Sequence, residues 1–430
     1  MSGASPRGPS AADRGTWPSP GAEAAAHSRR LAGVIGSALD AAGGWLSFAD
    51  YMQLALYAPG LGYYAAGAGK FGEAGDFVTA PEISPLFAEV CAAQIDGVLR
   101  ALGGGEVLEL GPGTGRFAAG ALAEFRARGT PITGYSLLEV SPDLRSRQQA
   151  LLAASDEPPV DARRIPPRWL DSLPAPFRGV LFANEVIDAL PCERFVMRGG
   201  AAWRLGVGRA AGAARDDMPR FEWRARPADG ACTGDADFVA AMAQRLADLA
   251  DAGVTLPEGC CGEFHPRLAA WVASLADVLE AGLLLFVDYG LPRTQLLHPD
   301  RAMGSLRCHH RHHAHGDPFL WPGLQDITAW VDFTALAEAG VAAGLEVAGF
   351  TTQAGFLLGG GIEARLAARL APPTAGEAAL GEVARAQLAQ GVRRLLLPGE
   401  MGEAVKVMAL AKDCEALPTA FALQDLRRGL

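Results

Sequence analysis

The stretch "VLELGPGTGRF" (Val107–Phe117) decides how the chain is read. It begins as a buried strand and ends as the start of a helix, and it places Gly111, Gly113 and Gly115 between the two. Glycine lets the backbone turn tightly and lets a ligand come close to it. Glu109 lies two residues before the first glycine. The next apolar run, "YSLLEV" (135–140), carries Glu139 at its carboxyl end. An acid at that position can accept hydrogen bonds from both hydroxyls of a ribose.

Three readings stay open on these residues. The order E-x-G-x-G-x-G is the form typical of sites for S-adenosylmethionine, which has no pyrophosphate to seat. Gly113, Gly115 and Ala118 also fit a loose dinucleotide fingerprint, and an ordinary strand-to-helix turn needs no ligand at all.

Working outward, short apolar runs alternate with helical patterns. After 106–111 and 135–140 come "GVLFANEV" (179–186), "GLLLFVDYG" (282–290), "LEVAGF" (345–350) and "EAVKVMALA" (403–411). Continuous apolar strands separated by helices predict an α/β fold, with a mostly parallel sheet covered on both faces. The last run follows a Pro398-Gly399 turn, so it can insert antiparallel. With "RRIPP" (163–167) read as the third strand, the rhythm breaks between the fourth strand and the fifth. "FVMRGGAAWRLGVGR" and "FEWRARP" predict a hairpin turning at Gly199-Gly200 plus a third strand, followed by helices near 235–253 and 266–281.

The expected organisation is therefore a disordered tail over 1–30 and a helical and loop segment over 31–104. The core spans 105–194 and 282–412, a substrate-facing inserted subdomain spans 195–281, and a tail covers 413–430. The net charge of −10 argues against non-specific nucleic-acid binding. There is no apolar run of about 18 residues, so no spanning helix is expected. Seven scattered cysteines without a C-x-x-C pair suit a reducing compartment.

Three more stretches accompany the glycine loop in fixed order: "GDFVTAPEIS" (75–84), "ANEVIDALPCERF" (183–195) and "PGLQDITAWVDF" (322–333). Together with "ELGPGTG" they resemble the MidA family of S-adenosylmethionine-dependent methyltransferases, over nearly everything from Leu46 to Lys412. The resemblance implies a class I methyltransferase fold, a seven-stranded sheet whose last strand is antiparallel. Mitochondrial members of the family are complex I assembly factors that methylate protein arginine. The signature carries over to Gly75, Asp76, Phe77, Thr79, Pro81 and Glu82, to the three loop glycines, and to Glu139 as the ribose acid. It also carries over to Asn184, Glu185, Asp188 and Pro191, and to Asp326 and Asp332.

The resemblance makes Glu185 and Asp188 the candidate catalytic pair, with Asn184 beside them. Carboxylates can hold the charge of a guanidinium on two nitrogens while the third attacks. Asp188 reaches the same side if the chain turns into a helix after Glu185. "NEVID" is not the N-P-P-Y pattern that serves amino groups on bases and amides. Candidate donor-binding residues are Glu109, Gly111, Gly113, Gly115, Glu139, Asp171, Thr79 and Glu82, with Trp169 beside Asp171 as a candidate flank for adenine. The "GDFVTAPEIS" loop could close over the donor and exclude water.

Five of the eight histidines crowd into "CHHRHHAHGDP" (308–318). Zinc sites draw ligands from defined spacings, such as two residues one helical turn apart; in this stretch the ligands are crowded and Gly316 and Pro318 follow at once, so no helix would scaffold them. It is read as a loop without a metal, whose Arg307, Arg311, His312 and His315 line the substrate side. The expected function is methyl transfer from S-adenosylmethionine to arginine of a protein, of the respiratory-complex subunit type. The expected compartment is the bacterial cytoplasm, with the mitochondrial matrix as alternative. A small-molecule methyltransferase, a donor-binding assembly factor without turnover and a dehydrogenase are the competing classes. The insertion favours a large substrate.

Overall fold

The strand–glycine–helix unit at Val107–Phe117 forms as read, in a computed structural model that describes residues 20–66, 79–154, 166–211, 219–230, 234–372 and 380–430. In chain order, helices α1 (Ala22–Ala41), α2 (Phe48–Tyr57), α3 (Ala80–Ile83) and α4 (Pro85–Ala101) come first. Then follow β1 (Gly105–Leu110), α5 (Arg116–Arg128), β2 (Ile132–Leu138), α6 (Pro142–Ala154), β3 (Arg168–Leu170) and β4 (Phe177–Asn184). Next are β5 (Glu193–Arg198), β6 (Ala201–Arg209), β7 (Phe221–Arg226), α7 (Asp235–Asp251), β8 (Cys261–Phe264) and β9 (Leu279–Leu291). The remaining strands are β10 (Arg307–His310), β11 (His313–His315), β12 (Asp326–Thr328), β13 (Val331–Asp332), β14 (Glu346–Thr352) and β15 (Val405–Lys412).

The chain divides into two compact units. The first comprises Val78–Val186, Ala270–Gly290 and Leu336–Leu430. Its sheet has the order β14-β15-β9-β4-β1-β2-β3. The pairs from β3 to β9 run parallel, and β15 runs antiparallel between β9 and β14. This is the sheet expected of a class I methyltransferase. Its strands are buried on both faces: Val107, Val180, Phe182, Leu283, Leu285 and Val407 join α4 and α5 in one core, and Leu108, Leu181 and Leu284 are buried on the opposite face. Phe117 of α5 stacks on Phe182 of β4 with ring centroids 4.0 Å apart.

The second unit comprises Met1–Phe77, Ile187–Ala269 and Leu291–Ala335. The predicted hairpin and third strand are β5, β6 and β7, turning through Gly199 and Gly200 at positive φ, and β8 adds to the free edge of β5. Arg204 on β6 is buried, where it bonds Glu193 of β5 at 2.6 Å and Asp235 of α7 at 2.7 Å. Helices α1 and α2 share a core with β6 and β10 through Leu31, Phe48, Tyr51, Val207 and Cys308.

Several expectations need correction. α1 starts at Ala22, inside the segment read as a tail, because alanine-rich sequence favours helix and Leu31, Ile35 and Leu39 give it a buried face. The tail residues 1–19 lie outside the described residues. Within the helical and loop segment, Pro81–Ser84 does not lead into one continuous helix: α3 and α4 are separate. Ser84 precedes Pro85 and is extended, with φ −153° and ψ 133°, and its side chain accepts from the Leu86 N–H to start α4. α4 belongs to the sheet core rather than to a separate segment, and 291–335 leaves the core for the second unit. The third strand is Arg168–Leu170; of the run read as that strand, 163–165 lie outside the described residues. Residues 413–430 are no tail. Ala420 and Phe421 are buried in the core, and Leu426 N–H bonds Phe350 C=O. Among the described residues no helix is long and apolar enough to cross a membrane.

Candidate active site

The loop between β1 and α5 holds Gly111, Gly113 and Gly115 at φ +58°, +54° and +83°. L side chains rarely adopt this left-handed backbone. Surroundings separate the three. A Cβ on Gly111 would meet Val186 Cγ2 at 2.9 Å, and one on Gly115 would meet Gln148 Cγ at 3.2 Å. Around Gly113 a Cβ would meet nothing within 4 Å, so of the three glycines it is the one with open space where a side chain would stand.

The two acids divide as the strands place them. Glu109 sits inside β1, is 3% exposed, and accepts the Tyr135 hydroxyl of β2 at 2.5 Å. Burial pushes its carboxyl up to about 8, the Tyr135 bond works the other way, and nearby Glu139 adds to the rise. Glu109 therefore braces β1 against β2 rather than opening toward a ligand.

Glu139 lies just past β2, at the strand tip. Its Oε1 accepts from Ser141 N–H at 2.7 Å and its Oε2 from Gln148 Nε2 at 3.1 Å. Burial raises its pKa, and the Ser141, Gln148 and Val140 bonds oppose that rise. Gln148, on α6, escaped the reading of the sequence. Leu144, Gln148 and Leu152 are spaced four apart and form the helix's buried face, which was the signal available.

A prediction follows from Glu109. Its folded pKa lies above the unfolded carboxyl value of about 4.3. The folded state thus holds this proton more tightly. The resulting stabilisation is complete below about pH 4 and is lost as the pH rises through about 8. Glu109→Gln keeps the neutral form at every pH. The melting temperature of the wild type should fall across that window relative to the variant, by on the order of 2–4 °C for each kcal/mol lost. Parallel melting-temperature profiles would show that the carboxyl ionises normally.

At the tip of β4, Glu185 takes φ +54°, a conformation costly for a side-chain-bearing residue. Two bonds impose it. Glu185 N–H donates to Val287 C=O of β9 at 2.8 Å, and Val186 N–H donates to Asp288 Oδ2 at 3.1 Å. Asp288, buried in "VDYG", is a second residue that sequence reading passed over. The half-buried Glu185 carboxylate accepts from Asn184 Nδ2 at 3.1 Å and from Ala80 N–H at 3.3 Å. Two of the quoted stretches therefore meet at this carboxylate. Thr79 is the residue before α3, and Glu82 within α3 lies 4.0 Å from Arg116, which directly follows Gly115. Gly75, Asp76 and Phe77, and with them the closing loop, lie outside the described residues.

Comparison with known proteins places this arrangement. The family model described as "Putative S-adenosyl-L-methionine-dependent methyltransferase" matches residues 86–351. The mitochondrial protein arginine methyltransferase NDUFAF7 of Mus musculus is 31% identical over 394 residues, covering 85% of this chain and 81% of its own. Its Danio rerio counterpart is 30% identical over 388 residues, covering 84% and 82%. A Burkholderia thailandensis protein crystallised with S-adenosyl-homocysteine is 39% identical, with a TM-score of 0.84 over 96% of this chain and 100% of that one. The chain belongs to this methyltransferase family.

The residues present fit the family's donor. The loop approaches open space at Gly113, and a buried carboxylate waits at the tip of the next strand. Asp171, read with them, lies on the methyltransferase surface with its side chain 88% exposed and paired to Arg145 at 2.7 Å. Trp169 is half-buried, packs against the core and donates its indole N–H to Gln148.

In the second unit, Asp188 is buried, and its C=O accepts from Ala329 N–H at 2.9 Å and from the ring of His265. The chain does not turn into a helix after Glu185, the condition for Asp188 to reach the same side. The left-handed Glu185 redirects the chain into a turn closed by Leu190 N–H on Ile187 C=O. Asp326 accepts the Tyr64 hydroxyl at 2.8 Å, and Asp332 holds Arg293 at 3.0 Å while capping Ala335 N–H. Both are partners within the fold.

The histidine stretch is a hairpin rather than a loop. β10 pairs with β11 across Arg311 and His312, both at positive φ, as a two-residue primed turn requires. Arg307, Arg311 and His312 are exposed, whereas His315 is buried and accepts from Asp317 N–H at 3.2 Å. Burial, with His310 next in effect, pushes its imidazole down to about 4. His315 therefore does not share the exposed face of the other three. Among the described residues no group of three or more His, Cys, Asp or Glu side chains converges as a metal site.

Proposed function

We propose that this methyltransferase methylates an arginine side chain of a protein. The supporting observation is the Glu185 carboxylate, held at the tip of β4 by strained backbone and by Asn184 and Ala80. Strain that neighbouring bonds impose on one residue marks a position whose direction matters. When bound, S-adenosylmethionine supplies an electrophilic methyl group on a positive sulfur.

In this reading Gly113 lets the loop approach the donor, and Glu139 receives its ribose hydroxyls. Glu185 binds the substrate. Its carboxylate pairs with two guanidinium N–H groups, so the charge stays on those nitrogens and the third keeps its lone pair. Asn184 fixes the carboxylate rotamer. Asp288 holds the turn that aims it. Asp188, in the second unit, is the other carboxylate that the family resemblance singles out, and Arg307, Arg311 and His312 are that unit's candidate residues for a protein substrate.

Relatives named as protein arginine methyltransferases support arginine as the acceptor. The respiratory complex I subunit implied by the family resemblance is the candidate substrate. Those relatives are mitochondrial, which supports the matrix as compartment, while the 39% identical relative comes from a bacterium, which supports a bacterial cytoplasm.

The test is incubation with methyl-labelled S-adenosylmethionine and a lysate, followed by hydrolysis of the labelled protein. The label should be recovered as N-methylated arginine. Label confined to small molecules, or to another amino acid, would overturn the proposal.

A further inference from the structure

We infer that Gln148 of α6 is the positioning residue of the donor site, holding the Glu139 carboxylate and the Gly113 carbonyl at one amide and so setting how tightly ribose is read. This rests on the reading of Glu139 as the ribose acid.

The amide has one orientation open to it. Trp169 Nε1 is a donor only, and it lies 2.9 Å from Gln148 Oε1, so the oxygen must face the indole. The two hydrogens on Nε2 then go to Gly113 C=O at 2.8 Å and to Glu139 Oε2 at 3.1 Å. Gln148 is fully buried, so no water competes for these bonds. Three segments that the sheet already sets side by side are thereby tied together at one side chain: the glycine loop, the tip of β2 and the end of β3.

Other side chains do not suffice. Glutamate would set a second carboxyl against Glu139 and offer at most one donor, where the amide offers two. Leucine or methionine fills the volume and leaves a buried carboxylate and carbonyl each short of a bond. Asparagine has the amide but is one methylene short. The third glycine of the motif falls into place as well. A side chain on Gly115 would press on Gln148, at 3.2 Å from Cγ and 3.4 Å from Cα. Gly115 leaves room for Gln148, whereas Gly113 has open space where a side chain would stand.

The experiment measures affinity by calorimetry, without turnover, for S-adenosyl-homocysteine and for its 2′,3′-dideoxy analogue, on wild type, Gln148→Leu and Glu139→Gln. Wild type should prefer the hydroxylated ligand. Gln148→Leu should lose about 10- to 100-fold for S-adenosyl-homocysteine and less than about threefold for the analogue, the scale of one or two hydrogen bonds to a buried charged group. Equal losses for both ligands would reduce Gln148 to a packing residue and overturn the inference, as would undiminished affinity. If wild type itself does not discriminate, the ribose role of Glu139 fails, and the inference with it. If Glu139→Gln abolishes discrimination and Gln148→Leu keeps it, the inference alone fails. Should Gln148→Leu not fold, Trp169→Phe decides. It removes the N–H that orients the amide, together with part of the indole's packing against the core, and it should cut the discrimination between the two ligands several-fold. Unchanged discrimination would overturn the inference.

Discussion

Replacing Glu185 by glutamine is expected to lower methyl transfer by at least about two orders of magnitude, the usual scale for removing one electrostatic partner of a transition state. Glutamine is nearly isosteric. It keeps an oxygen for the Ala80 and Asn184 donors that bond the carboxylate at 3.3 and 3.1 Å. It also carries the same backbone strain at φ +54°, so the fold should not register the change. Affinity for S-adenosyl-homocysteine should stay within about threefold, because the donor loop is untouched. Rate and affinity together separate chemistry from binding. Near-normal turnover would return Glu185 to the role of a turn residue that happens to be charged.

The second large effect concerns Gly113. Gly113→Val should weaken donor binding by at least about 100-fold while leaving the protein folded. Nothing lies within 4 Å of where the new Cβ would sit, so no protein contact is broken. The cost to the fold is that of a β-branched residue in left-handed backbone, about 1–2 kcal/mol. The ligand, by contrast, loses its approach to the loop. Gly111→Val is the informative contrast, because it would collide with Val186 at 2.9 Å and should lower the melting temperature first. Undiminished donor affinity in Gly113→Val would detach this loop from the donor.

The sheet was legible because its strands bury both faces. "GVLFAN" and "GLLLFV" have no polar alternation to confuse with a surface strand, and β15 announced its reversal through Pro398-Gly399. β3 was not, because three residues with only partial burial carry too little pattern. The glycine loop, Glu139 and Glu185 could be found from sequence, but their different duties could not. That Glu185 would be left-handed depends on Val287 and Asp288, about a hundred residues away in the chain. Gln148 looked like one more polar helix residue until α6 was set against β2 and the loop. The histidine hairpin hid its turn because Arg311-His312 stands where Asn-Gly is the familiar signal.

The most direct measurement is a crystal structure of the wild-type protein with S-adenosyl-homocysteine. The ribose hydroxyls should lie within hydrogen-bonding distance of the Glu139 carboxylate. The ligand backbone should pass against Gly113, and the sulfur should face Glu185 across a gap that admits a guanidinium. Ligand seated away from Glu139, or a sulfur turned from Glu185, would contradict the assignment of donor site and acceptor site together.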